Sequence, residues 1–259
     1  MSHVIISKPE IAALGEKEDK SSVSSSLAII TKTREDYNRI AQLFSTTRAH
    51  AWPEFQYFSD FIKDGQNVLD WGCGNGRLLL CFKDKTAKYF GVDQSRELIK
   101  IARKNSKEQI KSGQADFYCV KGGLKKFPDE FFDTVFMIAS LFHLPDEPSR
   151  LEVLKNIYKQ MKDGAKIIIL VWNLESEWAM VKRKKDWKQI GDNDFLIPWK
   201  SPDGKVICDR YYHHFSKVEL ENLLGNVGFV VKKIEFTDGI WNDSKGGRNM
   251  IAVAIKKAP

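Results

Sequence analysis

Short apolar runs alternate with amphipathic stretches along most of the chain, and this alternation predicts its architecture. Strands are predicted at five runs, NVLDWG, KYFGVDQS, ADFYCVKG, FDTVFMIAS and AKIIILVWN. The segments GRLLLCFKD, SRELIKIARKNSKE and SRLEVLKNIYKQM repeat apolar residues at helical spacing and lie between them. Repeated strand-then-helix units indicate a mostly parallel sheet with helices on both faces.

The pattern changes near the end of the chain. FSKVELENLLGNVG has the capping-box residues Ser216 and Glu219 and a terminating Gly228, so it predicts a helix. Two more strands, FVVKKIEFTD and NMIAVAIKKA, follow and are separated by a polar loop. A closing hairpin places the last strand antiparallel. The predicted fold class is therefore α/β, a doubly wound, mostly parallel, seven-stranded, Rossmann-like sheet with an antiparallel last strand.

The domain organisation follows from the same pattern. Residues 1–30 include the polar, serine-rich stretch GEKEDKSSVSSS, which predicts a mobile leader. Residues 31–259 then form one domain. Residues 174–209 interrupt the alternation, and we expect an insertion there over one end of the sheet.

A glycine-rich turn follows the first predicted strand. Gly72, Gly74 and Gly76 are spaced two apart, Asp70 precedes them, and Asp93 ends the next strand. Glycines permit a sharp turn and let ligand atoms approach the backbone, and an acid about 20 residues further on can accept hydrogen bonds from a ribose. The spacing is not the GxGxxG of dinucleotide sites, and no Gly-Lys-Ser/Thr follows as in a P-loop.

Charge and composition narrow the function classes. The formal net charge is +7, and the segment MVKRKKDWK at 180–188 is strongly basic. It is either a solvated helix face or a surface for a polyanion. The four cysteines form no CxxC pair, so we predict no disulfide framework and no metal site. Without a signal peptide or a long apolar run, the expected location is cytoplasmic.

VLDWGCGNGR followed by GVDQS closely resembles the cofactor motifs of class I S-adenosylmethionine methyltransferases. The resemblance covers about residues 35–257 and implies S-adenosyl-L-methionine as cofactor. It implies that Asp70 and the glycine turn, with Cys73 in it, hold the methionine end. It places Asp93 and Gln94 at the ribose, and Ala139, in the turn after the fourth strand, beside the cofactor.

One segment departs from that family. Many members have an acid after the third strand that binds the adenine amine, whereas this chain has Gly122 and Gly123. We therefore expect backbone contacts to adenine in this segment.

Further segments resemble a narrower group, the tRNA methyltransferases that esterify the carboxymethyl group of wobble uridine. Matching positions are Arg48, Trp52, Pro53, Trp172, Arg210, Tyr211, Tyr212 and His213. That group usually has two adjacent histidines after the fourth strand, and this chain has Phe142 and His143. The resemblance implies tRNA as partner, with neither DNA nor a membrane, and a small activating protein subunit as a possibility.

The chemistry of the acceptor decides which side chains are needed. A carboxylate is already anionic, so it needs cations that bind it and no base. Arg210 is the first candidate, followed by Arg48 and His213. A nitrogen or hydroxyl acceptor needs a base, for which His143 is the candidate.

Three functions stay open from the sequence. The first is a tRNA wobble-uridine carboxyl methyltransferase. The second is a small-molecule O- or N-methyltransferase on the same fold, and the third is a non-catalytic RNA-binding scaffold. The position of the basic segment relative to the pocket distinguishes the first from the second.

Overall fold

The computed structural model describes residues 20–48, 54–121, 125–237 and 247–258 of the 259-residue chain. Seven of its strands form one sheet. They are β1 (Asn67–Trp71), β2 (Lys88–Asp93), β3 (Ala115–Cys119), β4 (Phe132–Ile138), β5 (Met161–Trp172), β9 (Phe229–Phe236) and β10 (Asn249–Lys256). Three further strands, β6 (Lys188–Gln189), β7 (Asp194–Lys200) and β8 (Val206–His213), belong to a separate small sheet.

The large sheet has the strand order β3-β2-β1-β4-β5-β10-β9. Strands β1 to β5 pair in parallel, whereas β10 pairs antiparallel with both β5 and β9. The strand order changes direction between β1 and β4. The carboxyl ends of β1, β2 and β4 therefore meet at one edge of the sheet. The predicted α/β fold class and its antiparallel last strand are confirmed.

Both faces of the sheet are buried. In β5, Ile167, Ile169 and Val171 pack in one hydrophobic cluster, while Ile168 and Leu170 pack in the cluster on the other face. In a strand that is buried on both faces, no side chain points into water, so apolar residues occupy every position. This explains the uninterrupted run IIILVW in the sequence.

Seven α-helices accompany the sheets within the described residues: α1 (Lys20–Thr47), α2 (Glu54–Ser59), α3 (Arg96–Asn105), α4 (Lys107–Lys111), α5 (Glu147–Gln160), α6 (Glu177–Lys185) and α7 (Lys217–Val227). The segment after β1 forms a 3₁₀ helix, Arg77–Phe82. In the part of the chain that the structure describes, no helix is long and apolar enough to cross a membrane.

The capping signals act as the sequence predicts. The Ser216 hydroxyl accepts a hydrogen bond from the backbone N–H of Glu219, and α7 ends at Gly228 with φ of 107°. Helix α3 begins in the same way at Ser95, whose hydroxyl accepts from the N–H of Leu98. These bonds satisfy N–H groups that the first helical turn leaves without backbone partners.

Helix α1 begins earlier than the sequence predicted. Its first residue is Lys20, so residues 20–30, which we predicted as part of a mobile leader, are helical. The helix packs against α3 and β8. Residues 1–19 lie outside the described residues.

An insertion with its own sheet follows β5. It contains α6 and the antiparallel strands β6 (Lys188–Gln189), β7 (Asp194–Lys200) and β8 (Val206–His213). Phe195, Ile197 and Tyr212 of this small sheet join the same hydrophobic cluster as β5. The insertion is therefore packed on the main core, and its sheet ends at His213, four residues beyond the predicted boundary.

His213 fastens the small sheet to α7. Its Nδ1 lies 2.7 Å from Asp194 Oδ1 on β7, and its Nε2 lies 2.7 Å from Glu219 Oε1 on α7. Carboxylates only accept, so both ring nitrogens donate and the ring is protonated. Burial alone would lower the pKa of His213, but the hydrogen bonds to Asp194 and Glu219 outweigh it and raise the pKa.

This arrangement predicts a pH-dependent contribution to stability. Because the pKa of His213 is raised in the fold, its stabilisation is fully present below about pH 6.5 and is lost as the pH rises through the raised pKa. His213→Gln should lower the free energy of unfolding by about 1–3 kcal/mol at pH 6 and by less at pH 9. Urea unfolding at both pH values measures this; an equal loss at both would show that packing, not charge, is responsible.

Candidate active site

A pocket lies at the edge where β1, β2 and β4 end, covered by α1 and β8. Its walls come from these two elements and from the turns after the three strands. Lining residues include Ile30, Thr33, Tyr37, Phe44, Arg48, Asp70, Gly72, Cys73, Gly74, Asp93, Gln94, Ala139, His143, Trp172, Arg210 and Tyr212. Parallel sheets commonly bind ligands at this place, beyond the carboxyl ends of the strands.

The three glycines of the turn serve different purposes. All have positive φ, of 77° at Gly72, 56° at Gly74 and 80° at Gly76. A Cβ on Gly72 would lie 2.3 Å from the Cβ of Ser140, and a Cβ on Gly76 would lie 2.9 Å from the Phe117 ring. Only Gly74 is open, with Phe44 at 3.7 Å as its nearest neighbour. Side chains are thus excluded from two positions by the protein itself.

The ends of the strands are fastened to one another at this edge. The Val92 carbonyl accepts from the N–H groups of Gly72 and Cys73, at 2.7 and 3.0 Å. The Ser140 hydroxyl donates to the Trp71 carbonyl at 2.9 Å. Ala139 has φ of 53°, which is uncommon for a residue with a side chain, and its N–H donates to the Leu170 carbonyl at 2.8 Å.

Asp93 and Gln94 provide acceptors on one side of the pocket. The Asp93 carboxylate accepts from the N–H of Gly74 at 2.9 Å and of Ser95 at 2.7 Å, one bond to each oxygen. Each oxygen keeps a lone pair that a ribose hydroxyl can use. The Oε1 atom of Gln94 is buried and has no hydrogen-bond partner among the described residues. These acceptors fit the ribose of S-adenosylmethionine.

Asp70 supplies a buried carboxylate at the neighbouring strand end. Tyr89 donates to its Oδ2 at 2.7 Å. Burial raises the pKa of Asp70 to about 7, and the Tyr89 hydrogen bond opposes this rise. A cationic ligand group would favour the ionised form, so Asp70 fits the ammonium group of the methionine end. Burial also raises the pKa of the adjacent Cys73, which keeps its thiol protonated.

Arg210 extends into the pocket from β8 with only 4% of its surface exposed. Its guanidinium carbon lies 4.9–5.7 Å from the ring centroids of Tyr37, Trp199 and Tyr212. Its Nη1 donates to the Tyr37 hydroxyl at 3.2 Å, and its buried Nε has no partner within the described residues. No carboxylate in that part of the chain lies within ion-pair distance of this buried cation.

Arg48 provides a second cation at the end of α1. Its guanidinium carbon lies 5.4 Å from the Phe44 ring centroid and 5.5 Å from that of Trp199. Burial lowers the pKa of Arg48, and the charge of Arg210 contributes to the lowering. Both arginines therefore border Trp199.

His143 is neutral and unsuited to act as a base. Its Nδ1 lies 2.7 Å from the Tyr211 carbonyl, and its Nε2 lies 2.8 Å from the Tyr37 hydroxyl. Burial, with a smaller contribution from the charge of Arg210, lowers the pKa of His143 to about 3. A group with so low a pKa accepts a proton poorly at neutral pH.

Most of the predicted site residues lie together in this pocket, in two groups. The cofactor group comprises Asp70, Gly72, Cys73, Gly74, Asp93, Gln94 and Ala139, and the acceptor group comprises Arg48, His143 and Arg210. The sites predicted at Trp52, Pro53, Gly122 and Gly123 lie outside the described residues.

Three of the predicted or matching positions do not line the pocket: Gly76, Tyr211 and His213. Gly76 faces Phe117 and Ala102 in the core. His213 bonds Asp194 and Glu219 because successive side chains of a strand point to opposite faces. With Arg210 facing the pocket, a residue three positions later in β8 faces away from it.

Two residues beside Arg210, Tyr37 and Trp199, are not predicted as site residues from the sequence. Tyr37 is one of several residues at helical spacing in α1, and Trp199 is one tryptophan of the insertion. Neither position carries a local signal of function. Their role depends on the packing of α1 and β7 around Arg210.

Comparisons with known proteins identify the family of this chain. A family model described as a methyltransferase domain matches residues 41–234. The chain is 26% identical over 210 residues to a Schizosaccharomyces pombe protein named tRNA (carboxymethyluridine(34)-5-O)-methyltransferase, covering 74% of this chain and 86% of that one. A protein of the same name from Arabidopsis thaliana is 30% identical over 220 residues, covering 79% of this chain and half of its own length.

A solved structure has the same fold. The S-adenosylmethionine-dependent methyltransferase from Methanosarcina mazei superposes with a TM-score of 0.62, covering 81% of this chain and 99% of that one, at 22% sequence identity.

The buried Asp70 predicts that cofactor binding depends on pH. In the ligand-free protein Asp70 is protonated below about pH 7, so the affinity for S-adenosylmethionine should fall as the pH decreases from 8 to 6. Asp70→Asn should weaken binding about 10- to 100-fold and remove this pH dependence. Calorimetric titrations at pH 6, 7 and 8 measure both effects.

The same variant has an opposite effect on stability. The folded pKa of Asp70 is raised from 3.8 to about 7, so Asp70 lowers the stability of the ligand-free fold progressively as the pH rises from about 4, and the loss is complete above about pH 7. Asp70→Asn should therefore raise the melting temperature of the ligand-free protein at pH 8. A lower melting temperature at that pH would contradict the assignment of a raised pKa.

Proposed function

The chain belongs to the methyltransferase-domain family and is an S-adenosylmethionine-dependent methyltransferase, and we propose that it methylates the carboxylate of a carboxymethyl group on the wobble uridine of tRNA. One observation carries the choice of acceptor. Arg210 is a cation that is 4% exposed, lies in the pocket and has no acidic partner among the described residues. A buried charge of this kind is costly unless an anion pairs with it, so an anionic acceptor fits the site.

The relatives support the same acceptor. The Schizosaccharomyces pombe and Arabidopsis thaliana proteins both carry the name of carboxymethyluridine methyltransferases. The chain matches them along most of its own length. The activating subunit that the resemblance implies stays a prediction.

The side chains fit a transfer that involves no proton. Bound S-adenosylmethionine supplies an electrophilic methyl group, and the displacement requires an aligned nucleophile. Arg210 and Arg48 bind the acceptor carboxylate, and each of its oxygens keeps a lone pair with which it can attack. His143 stays neutral and takes no proton, because a carboxylate has none to give at neutral pH.

The basic segment of the insertion favours tRNA over a small molecule. The Trp178 ring on α6 lies 6.2 Å from the ring of Trp172, which lines the pocket. Helix α6 is therefore a neighbour of the pocket wall. Lys184, Lys185 and Lys188 are exposed, and none is within ion-pair distance of a carboxylate in the described ranges. Exposed cations without an acidic partner in the described ranges, on a helix and strand of the insertion, suit the phosphates of a nucleic acid.

Arg210→Lys tests the carboxylate site. Lysine keeps the charge but lacks the planar fork that matches a carboxylate, so single-turnover methylation of carboxymethyl-modified tRNA should slow at least about tenfold. Cofactor affinity should not change. Arg103→Lys on α3, outside the pocket, is the matched control and should behave as wild type.

The pH dependence of the same assay distinguishes the acceptors. At saturating cofactor the wild-type rate should stay level from pH 6 to 8, since no base titrates in that range. A rate that climbs about tenfold per pH unit would indicate a general base and a nitrogen or hydroxyl acceptor. Mass spectrometry of the digested tRNA identifies the methyl ester directly.

A second experiment tests the choice of tRNA. Replacing Lys184, Lys185 and Lys188 by Gln should weaken tRNA binding and flatten its dependence on salt, because fewer counterions are released. The control replaces the exposed Lys104, Lys107 and Lys111 of α3 and α4, an equal change of charge. An equal effect of both triple variants would show only a general charge effect. Unchanged binding by the first would favour a small-molecule acceptor.

A further inference from the structure

Tyr37 on α1 lies between the two groups that the acceptor site depends on. Its hydroxyl is 2.8 Å from His143 Nε2 and 3.2 Å from Arg210 Nη1. Its ring also lines the pocket, at 5.6 Å from the Phe44 ring and 5.2 Å from the His143 ring. These ring contacts do not by themselves require a hydroxyl group at position 37.

The direction of each hydrogen bond around Tyr37 follows from the chemistry of its partners. A guanidinium only donates, so the Tyr37 oxygen accepts from Arg210. The Tyr211 carbonyl only accepts, so His143 carries its proton on Nδ1 and has a lone pair on Nε2. Tyr37 therefore donates its own proton to Nε2. The chain of donors runs from Arg210 through Tyr37 and His143 to the backbone of β8.

The other edge of Arg210 has no hydrogen-bond partner among the described residues. Nη1 is held by Tyr37, while Nε is buried without a partner, and Nη2 makes no hydrogen bond among the described residues. The N–H groups of Nε and Nη2 point to the same side of a guanidinium. They form the fork that binds a carboxylate through two parallel hydrogen bonds.

Helix α1 also fixes the strand that carries Arg210. The Lys32 ammonium donates to the carbonyl of Asp209 at 2.7 Å, and Arg39 donates to the carbonyl of Ile207 at 3.2 Å. These contacts hold the backbone of β8 just before Arg210. Tyr37, between Lys32 and Arg39 in the helix, then fixes the guanidinium itself.

We propose that Tyr37 is a positioning residue for methyl transfer: it holds Nη1 of Arg210 so that the Nε–Nη2 edge faces the acceptor carboxylate, and it occupies the lone pair of His143. This inference rests on the proposed carboxylate acceptor and adds how the acceptor is oriented. Tyr37 acts through Arg210. Its loss therefore matters only while Arg210 is present and only for ligands that carry a carboxylate.

Tyr37→Phe removes the hydroxyl and retains the ring. With carboxymethyl-modified tRNA, kcat/KM should fall about 10- to 100-fold, while the Kd for S-adenosylmethionine stays within about twofold. In an Arg210→Lys background, the same substitution should add less than about twofold. Tyr158→Phe on α5, whose hydroxyl is 3.5 Å from the Gly228 carbonyl and outside the pocket, is the matched control and should be unaffected.

Inhibition by free nucleosides separates positioning from a merely structural role. In Tyr37→Phe, the inhibition constant of 5-carboxymethyluridine should rise with the loss in kcat/KM, while that of uridine should not change. Equal shifts for both nucleosides, an unchanged kcat/KM, or the same loss in the Arg210→Lys background would each overturn the assignment of Tyr37. Wild-type protein that does not methylate this tRNA overturns the proposed function and this inference with it, so the two failures are distinguishable.

Discussion

The close approach of two turns, after β1 and after β4, holds together the edge of the sheet on which the pocket is built. Gly72 lies so near Ser140 that no Cβ fits between them, and Ser140 donates to the carbonyl of Trp71. The Val92 carbonyl at the end of β2 accepts two further bonds from the glycine turn. Asp70, Asp93 and Ala139 are thereby held at one edge, because each stands at the end of a strand that this contact joins.

The pocket brings acids and arginines together from different elements. Asp70 and Asp93 lie at the ends of β1 and β2, with Arg77 near Asp70, whereas Arg210 lies on β8 and Arg48 follows α1. The acids suit a ligand with an ammonium group and a ribose, and the arginines suit an anion. Such an arrangement orients two substrates relative to each other before any chemistry begins, which is the main contribution that a methyl transfer requires from the protein.

Several features of the site oppose stability and therefore indicate function. Asp70 is buried with a pKa raised to about 7, Arg210 is buried without an acid among the described residues, and Ala139 has a left-handed backbone. Each is unfavourable in the ligand-free fold. Binding of oppositely charged ligands relieves the first two, so the same residues that weaken the empty protein strengthen the complex.

The neutral state of His143 bears on which methyl acceptor the site suits. Burial keeps its ring uncharged beside Arg210, and its two nitrogens are used by Tyr37 and the Tyr211 carbonyl. A histidine held in this way supports the arrangement of neighbouring groups. It is poorly suited to remove a proton, which agrees with an acceptor that has none to lose.

The sequence by itself determined the sheet, its antiparallel last strand, and the edge at which Asp70, the glycine turn and Asp93 meet. Alternating strands and helices admit few topologies, and acids at the ends of parallel strands must share one edge. The sequence also determined that residues 210 and 213 face opposite sides of β8, because successive side chains of a strand alternate. Only the tertiary structure decided which side faces the pocket, because the packing of the insertion sets that choice. It likewise placed Tyr37 beside Arg210 and Phe117 behind Gly76, contacts between segments far apart in the chain that no local pattern specifies.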